Sequence, residues 1–200
     1  MPLVKMMVID ARKIEVHWNY LLAIEDDLDR LSRYIEFDEK NFECFSIEIC
    51  RILLTSAAEV DVVCKQICKK LKHESSAEDI HQYREEIKPV YPDIPDFKIL
   101  IPRHGLTLTP WDNWKEEHGV PLWWTAYNKI KHHRDSEYHR ANLKNALNSV
   151  AGLFVMVLYL YREKANKGEL IPPPKLFRVT EEHCMGVDLG DMEFGIVYKF

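Results

Sequence analysis

Between Tyr127 and Arg140 the chain reads Tyr127-Asn128-Lys129-Ile130-Lys131-His132-His133-Arg134-Asp135-Ser136-Glu137-Tyr138-His139-Arg140. Three histidines, two arginines and two lysines crowd this stretch. Imidazole can take or give a proton near neutral pH, and a guanidinium offers a planar fork to phosphate. Side by side, they suit acid–base work on a held phosphodiester. Arg134 and His139 are five residues apart. On an unbroken helix they would point about 140° away from each other. They can face one space only if the chain bends between them. Asp135 and Ser136 are good N-cap residues, so the bend is expected there. His139 would then lie in the first turn of the following helix. The positive helix end favours a neutral imidazole and attracts phosphate. The competing reading is plainer: a solvated, capped helix start.

The charge distribution points to the same place. The formal net charge is -5, so the chain as a whole is neither a polyanion-binding tail nor a basic membrane anchor. Residues 1–50 hold eleven acids against six bases, whereas residues 127–145 hold five Lys or Arg against two acids, with three histidines added. An acidic body thus carries one basic segment.

Other chemistries lack their residues. Seven glycines in 200 residues leave no phosphate-cradling loop, which argues against Rossmann and P-loop enzymes. There is no Gly-x-Ser-x-Gly elbow. Adjacent histidines diverge on a helix and no His-Glu-x-x-His occurs, so neither a metal nor another cofactor is expected. Cys44, Cys50, Cys64, Cys68 and Cys184 are odd in number, and Cys64 and Cys68 do not have zinc-ribbon spacing. They read as reduced, half-buried thiols of a cytoplasmic protein. Met1–Lys5 shows no signal-peptide pattern, and no membrane partner is expected.

The elements that must position the basic segment are helical. Ile14, Trp18, Leu21, Leu28, Leu31 and Ile35 predict a helix over about residues 10–36. Phe45, Ile49, Ile52, Ser56, Val60, Val63, Ile67 and Leu71 predict another over about 42–72. Ser56-Ala57-Ala58 thins its middle, so a second helix can approach closely. Ser75-Ser76 before Glu78-Asp79 predicts a capped short helix ending near Ile87. Pro89, Pro92, Pro95 and Pro102 make residues 89–110 an extended connection, with Ile99–Ile101 as a brief strand. A helix follows over about 122–133, with Trp123-Trp124 as core and interface. The last helix is expected over about 136–165. Its apolar stretch Val150–Tyr161 is too short for a bilayer span of about 20 residues and predicts a buried core helix. After Pro172-Pro173-Pro174, Leu176–Val179 and Phe194–Tyr198 read as strands, with Gly186, Gly190 and Asp191 in turns.

Arg134-Asp135-x-x-x-His139 resembles the signature of the HEPN superfamily: Arg, four to six residues, then His, with a polar residue often directly after the Arg. The helical pattern over about residues 10–165 fits. The resemblance implies an up-and-down bundle that dimerises, with the two motifs meeting in the dimer cleft. It also implies a metal-independent endoribonuclease of the toxin, phage-defence or RNA-processing kind. His139 would be the acid–base, Arg134 the phosphate contact, and Asp135 an orienting or capping residue. The wider run Tyr127-Asn128-x-x-Lys131-His132-x-Arg134 resembles a pattern in uncharacterised bacterial HEPN-like proteins, which makes Asn128, Lys131 and His132 supporting candidates. Such proteins often carry an acid on an earlier helix, and Glu59 is the candidate here. Its competing role is to pair with Lys131 or Arg134 and hold helices together.

The expected architecture is mainly α. A bundle of four to five helices spans residues 1–170, and a small antiparallel β appendage spans 171–200. The expected function is RNA cleavage or RNA binding by a homodimer, with a cognate antitoxin or nucleotidyltransferase as a further partner. The alternative is a non-enzymatic dimeric interaction module that uses the Val150–Tyr161 surface and the aromatic helix.

Overall fold

A computed structural model describes residues 14–189 and 194–200. The start of the first expected helix, residues 10–13, and the turn residues Gly190 and Asp191 lie outside this range. The described chain is mainly helical, as expected. In order it forms α1 (Val16–Leu31), α2 (Ile47–Leu71), α3 (Ile80–Ile87), β1 (Ile99–Ile101), β2 (Leu106–Leu108), α4 (Leu122–Glu137), α5 (Leu143–Leu160), α6 (Arg162–Ala165), β3 (Arg178–Val179), β4 (Cys184–Leu189) and β5 (Phe194–Tyr198).

The centre is α5. By length and composition it could cross a membrane, but 83% of it is buried inside the fold, so it is a core helix. Its eighteen residues exceed the apolar stretch read from sequence, and burial rather than length decides its role. An apolar helix buried on all sides needs neighbours all round. α1, α2 and α4 supply them. α2 crosses it closely, and the Ser56 and Ser149 hydroxyls meet at 2.7 Å where both helices are thin. On a second side stand four tryptophans. Trp111 donates its indole N–H to the Gly152 carbonyl at 3.2 Å, and Trp123 donates to the Pro110 carbonyl at 2.8 Å.

Caps differ in place from the expectation. Ser46 caps α2 by accepting from the Ile49 N–H, which sets its start after Phe45. Asp79, not Ser75 or Ser76, caps α3, accepting from the His81 and Gln82 N–H groups. The Ser75 hydroxyl instead donates to Glu86 at 2.6 Å. The last helix begins at Leu143 rather than near residue 136, because Asn142 is its cap. A side-chain oxygen there satisfies an N–H that the helix leaves open.

The proline-rich connection supplies two strands. β1 pairs antiparallel with β2 across a turn that Gly105 closes at φ 65, a left-handed value suited to glycine. β1 pairs on its other edge with β3. β4 and β5 form a separate antiparallel pair. The chain after residue 170 is therefore tied to the bundle by a sheet. A buried carboxylate ties it as well. Glu25 on α1 accepts the backbone N–H groups of Lys175, Leu176 and Phe177 at 2.7, 2.8 and 3.0 Å. Leu176, Phe177, Ile196 and Tyr198 belong to the same core as the helices.

A methyl group at Gly152 would sit 2.9 Å from Trp123 Cζ2, and Trp111 blocks the ring from retreating. Gly152→Ala is expected to cost about 1–3 kcal/mol through overpacking, read as a lower urea midpoint at unchanged slope. The fold also holds several protons tightly. Burial, then the Glu86 carboxylate, pushes the Cys68 thiol up to about 12. Burial, then a hydrogen bond to Asp61, pushes the Tyr83 hydroxyl up. Burial likewise raises Cys64, Tyr159 and Tyr198. Each pKa is higher folded than unfolded, so the stability these groups add is complete below the unfolded values. It is lost as pH rises above them. Urea midpoints should therefore hold up to pH about 8 and fall steadily from about 9 upward, the ordinary range of thiols and phenols.

Candidate active site

α4 is anchored by Trp123, Trp124, Ala126, Tyr127 and Ile130, all buried. Beyond Ile130 no residue is buried until Ala141. Nothing apolar then holds a regular helix against the core, and α4 breaks at His133 (φ −139, ψ 45). A second distortion follows at Glu137 (φ −109, ψ 12), before a 3-10 turn over Tyr138–Arg140. The bend between Arg134 and His139 thus exists, but at Glu137 rather than at Asp135–Ser136. His139 accordingly sits in the 3-10 turn ahead of α5, not in the first turn of that helix. The expectation that the α5 dipole holds its imidazole neutral loses its geometric basis.

The end of this turn is fixed by the segment before α2. Leu143 and Lys144 donate their N–H groups to the Cys44 and Phe42 carbonyls at 2.8 and 3.1 Å. The Asn142 amide donates to Glu43 at 2.9 Å. The Tyr138 ring meets Phe45 edge-on at 5.5 Å between centroids. These contacts carry residues 134–140 against the N-terminal half of α2.

An apolar groove of about 580 Å³ lies between them. Ile47, Cys50, Arg51 and Leu54 line it from α2, and Arg134, Asp135 and Tyr138 from the turn. Arg134 is exposed and makes no ion pair or hydrogen bond among the described residues. Its guanidinium is close enough to lower the Cys50 thiol, although burial dominates and leaves that thiol raised. His139 is exposed and does not line the groove. Glu137 forms an ion pair with Arg140. That hydrogen bond holds its carboxyl below the usual range, with smaller help from Lys129 and His139.

The supporting candidates divide. Asn128, Lys131 and His132 are exposed on α4, upstream of the break. The Lys131 ammonium lies 5.7 Å from the Tyr127 ring centroid. The His132 and His133 rings are tilted with centroids 6.4 Å apart, and no metal-ligating cluster occurs among the described residues. Glu59 is elsewhere. It lies nine residues beyond Cys50, about 13 Å further along α2. It pairs neither with Lys131 nor with Arg134. His17 on α1 meets it instead through Nδ1 at 2.5 Å, and His17 Nε2 meets the Gln66 amide at 2.6 Å. Nothing in the spacing of single residues could match His17 to Glu59, because the pair spans two helices. The groove wall was more legible: Ile47, Cys50, Arg51 and Leu54 follow the i, i+3, i+4, i+7 pattern of one helix face.

Two substitutions separate these roles. Arg134→Ala, at an exposed site, is expected to move folding stability by less than about 0.5 kcal/mol. Glu59→Ala removes the partner of a half-buried imidazole and is expected to cost about 1–3 kcal/mol. Denaturant titration of both proteins checks the contrast.

The chain matches no family model, no curated protein and no solved structure. What the turn and its groove do has to be read from their own residues.

Proposed function

We propose that this chain is a HEPN-like RNA-cleaving protein that acts as a homodimer, with Arg134 and His139 at its centre. The carrying observation is the distortion at Glu137, between the two residues. It interrupts the straight helix that would set Arg134 and His139 about 140° apart, and both side chains are exposed on either side of it. An exposed guanidinium without an internal partner can bind a phosphate without first breaking an ion pair.

The ribose 2′-oxygen attacks the adjacent phosphorus, and the bond to the 5′-oxygen breaks. The products are a 2′,3′-cyclic phosphate and a 5′-hydroxyl. His139 moves the proton, and Arg134 holds the charge that grows on the phosphate oxygens. Lys131, exposed on α4, adds positive charge to the same segment. Asp135 follows Arg134 in sequence and, unpaired with it, is left to orient the substrate. Cleavage in a toxin or phage-defence setting, opposed by a cognate antitoxin or nucleotidyltransferase, belongs to this reading.

A second reading has its own observation. Ile47, 77% exposed, lines the groove, and Phe45, 51% exposed, packs against its Tyr138 wall. An apolar surface of this kind suits a partner protein, so a non-enzymatic dimeric interaction module is the alternative, although the Val150–Tyr161 stretch expected to serve it is buried up to Leu160, as are the aromatic residues of α4.

Purified protein incubated with total RNA in EDTA tests the nuclease reading. His139→Ala is expected to lower cleavage at least about 100-fold, and Arg134→Ala about 100- to 1,000-fold, with cyclic phosphate ends on the wild-type products. Cleavage that survives both substitutions removes this site. A wild-type dimer that cuts none of several RNAs moves the assignment to the interaction module.

A further inference from the structure

The groove beside Arg134 carries a specific pattern of charge. Its body is apolar: Ile47, Leu54 and the half-buried Tyr138 form the walls, and the Cys50 thiol forms the floor. Its volume, about 580 Å³, is that of a small-ligand site. Phe45 pins the Tyr138 ring by an edge-on contact, so one wall is a fixed aromatic.

Three charged side chains line it. Arg51 is already committed, to Asp27 at 3.1 Å and Glu48 at 3.0 Å. Arg134 and Asp135 make no ion pair or side-chain hydrogen bond among the described residues. The groove thus offers one uncommitted guanidinium fork and one uncommitted carboxylate next to an apolar slot.

This pattern selects an occupant. A wholly apolar ligand would cover both charges and give them no partner, which is costly. An apolar anion would engage Arg134 but set its negative end beside Asp135. A flat body with an anion on one side and N–H donors on the other satisfies both groups. A nucleotide has this form. Among RNA bases, guanine presents two parallel donors, N1–H and N2–H, which match the two oxygens of a carboxylate. Adenine and cytosine present one amino group beside a ring acceptor, and uracil flanks its single N–H with two carbonyls. Unpaired bases in single-stranded RNA are read in this way, by an aromatic or apolar slot together with polar groups on the Watson–Crick edge.

We propose that this groove holds an unpaired guanine of single-stranded RNA, with Asp135 accepting from its Watson–Crick edge and Arg134 holding the adjoining phosphate. The proposal rests on the RNA reading above and adds a base preference to it. Asp135 is then a specificity residue.

Titration of the full chain with the 5′-monophosphates of guanosine, adenosine, cytidine and uridine tests it, followed by calorimetry or NMR. Guanosine monophosphate is expected to bind at least about 10-fold more tightly than the others, as one bidentate contact provides. Asp135→Asn sets a donor against guanine and is expected to bring the four within about 2-fold of each other. Ile47→Glu, at an exposed position on the groove, is expected to weaken all four by putting an unpaired charge in the apolar wall of the slot. Equal binding of the four by wild type, no saturable binding up to millimolar concentration, or a guanine preference that survives Asp135→Asn overturns the proposal. Oligoribonucleotides with and without guanine keep it distinct from the nuclease reading. Cleavage that needs Arg134 and His139 but ignores guanine removes the slot alone. Guanine-selective binding without cleavage of any RNA removes the nuclease alone.

Discussion

α5 must be covered on every side, and the rest of the molecule follows from that constraint. Eleven successive residues from Val150 to Leu160 are buried. Their burial takes a large apolar surface out of water. It requires close approach, which the small residues at the crossings permit. Ser56 and Ser149 meet where α2 passes α5. Gly152 admits the Trp123 ring and lends its carbonyl to Trp111. The buried hydroxyls satisfy each other and local carbonyls, so their burial leaves no orphaned group there.

The candidate site is a by-product of the same constraint. α4 is held to α5 only as far as Ile130, and the chain must re-enter the core at Ala141 and Leu143. The stretch between them is polar, so it crosses the surface as a broken helix and a 3-10 turn. Irregular backbone at that place is what exposes Arg134, Asp135 and His139 together. The turn does not wander, because Phe42, Glu43 and Cys44 grip the start of α5 while Phe45 grips Tyr138. A mobile-looking polar sequence is thereby held against one face of α2, and the groove is the space left between them.

Buried or half-buried carboxylates do the long-range tying. Glu25 gathers three backbone N–H groups from the segment after the triple proline. That carboxylate fixes the entry into β3 and hence the pairing of β3 with β1. Glu59 joins α1 to α2 through His17. In one dimension Glu59 looks like a candidate for chemistry. The partners of both acids make them structural, since each already accepts the hydrogen bonds a charged group needs away from water.

Helical class, the buried last helix, the thin middle of α2, the brief strand at Ile99–Ile101 and the address of the basic cluster were legible in the sequence. All of them rest on local periodicity, composition or the placement of small residues and proline, which neighbouring residues encode. The position of the bend was not legible. Asp135 and Ser136 have good capping chemistry, but Asn142 takes the cap because Phe42–Cys44, about a hundred residues earlier in the chain, bond to the helix start beside it. The partner of Glu59, the strand that completes the sheet of β1, and the groove under Arg134 were decided in three dimensions as well. Each depends on surfaces from distant segments meeting, and the energy of such contacts resides in the pair rather than in either residue. The sequence determined which residues could do chemistry here. Only the packing around α5 determined which of them share a surface.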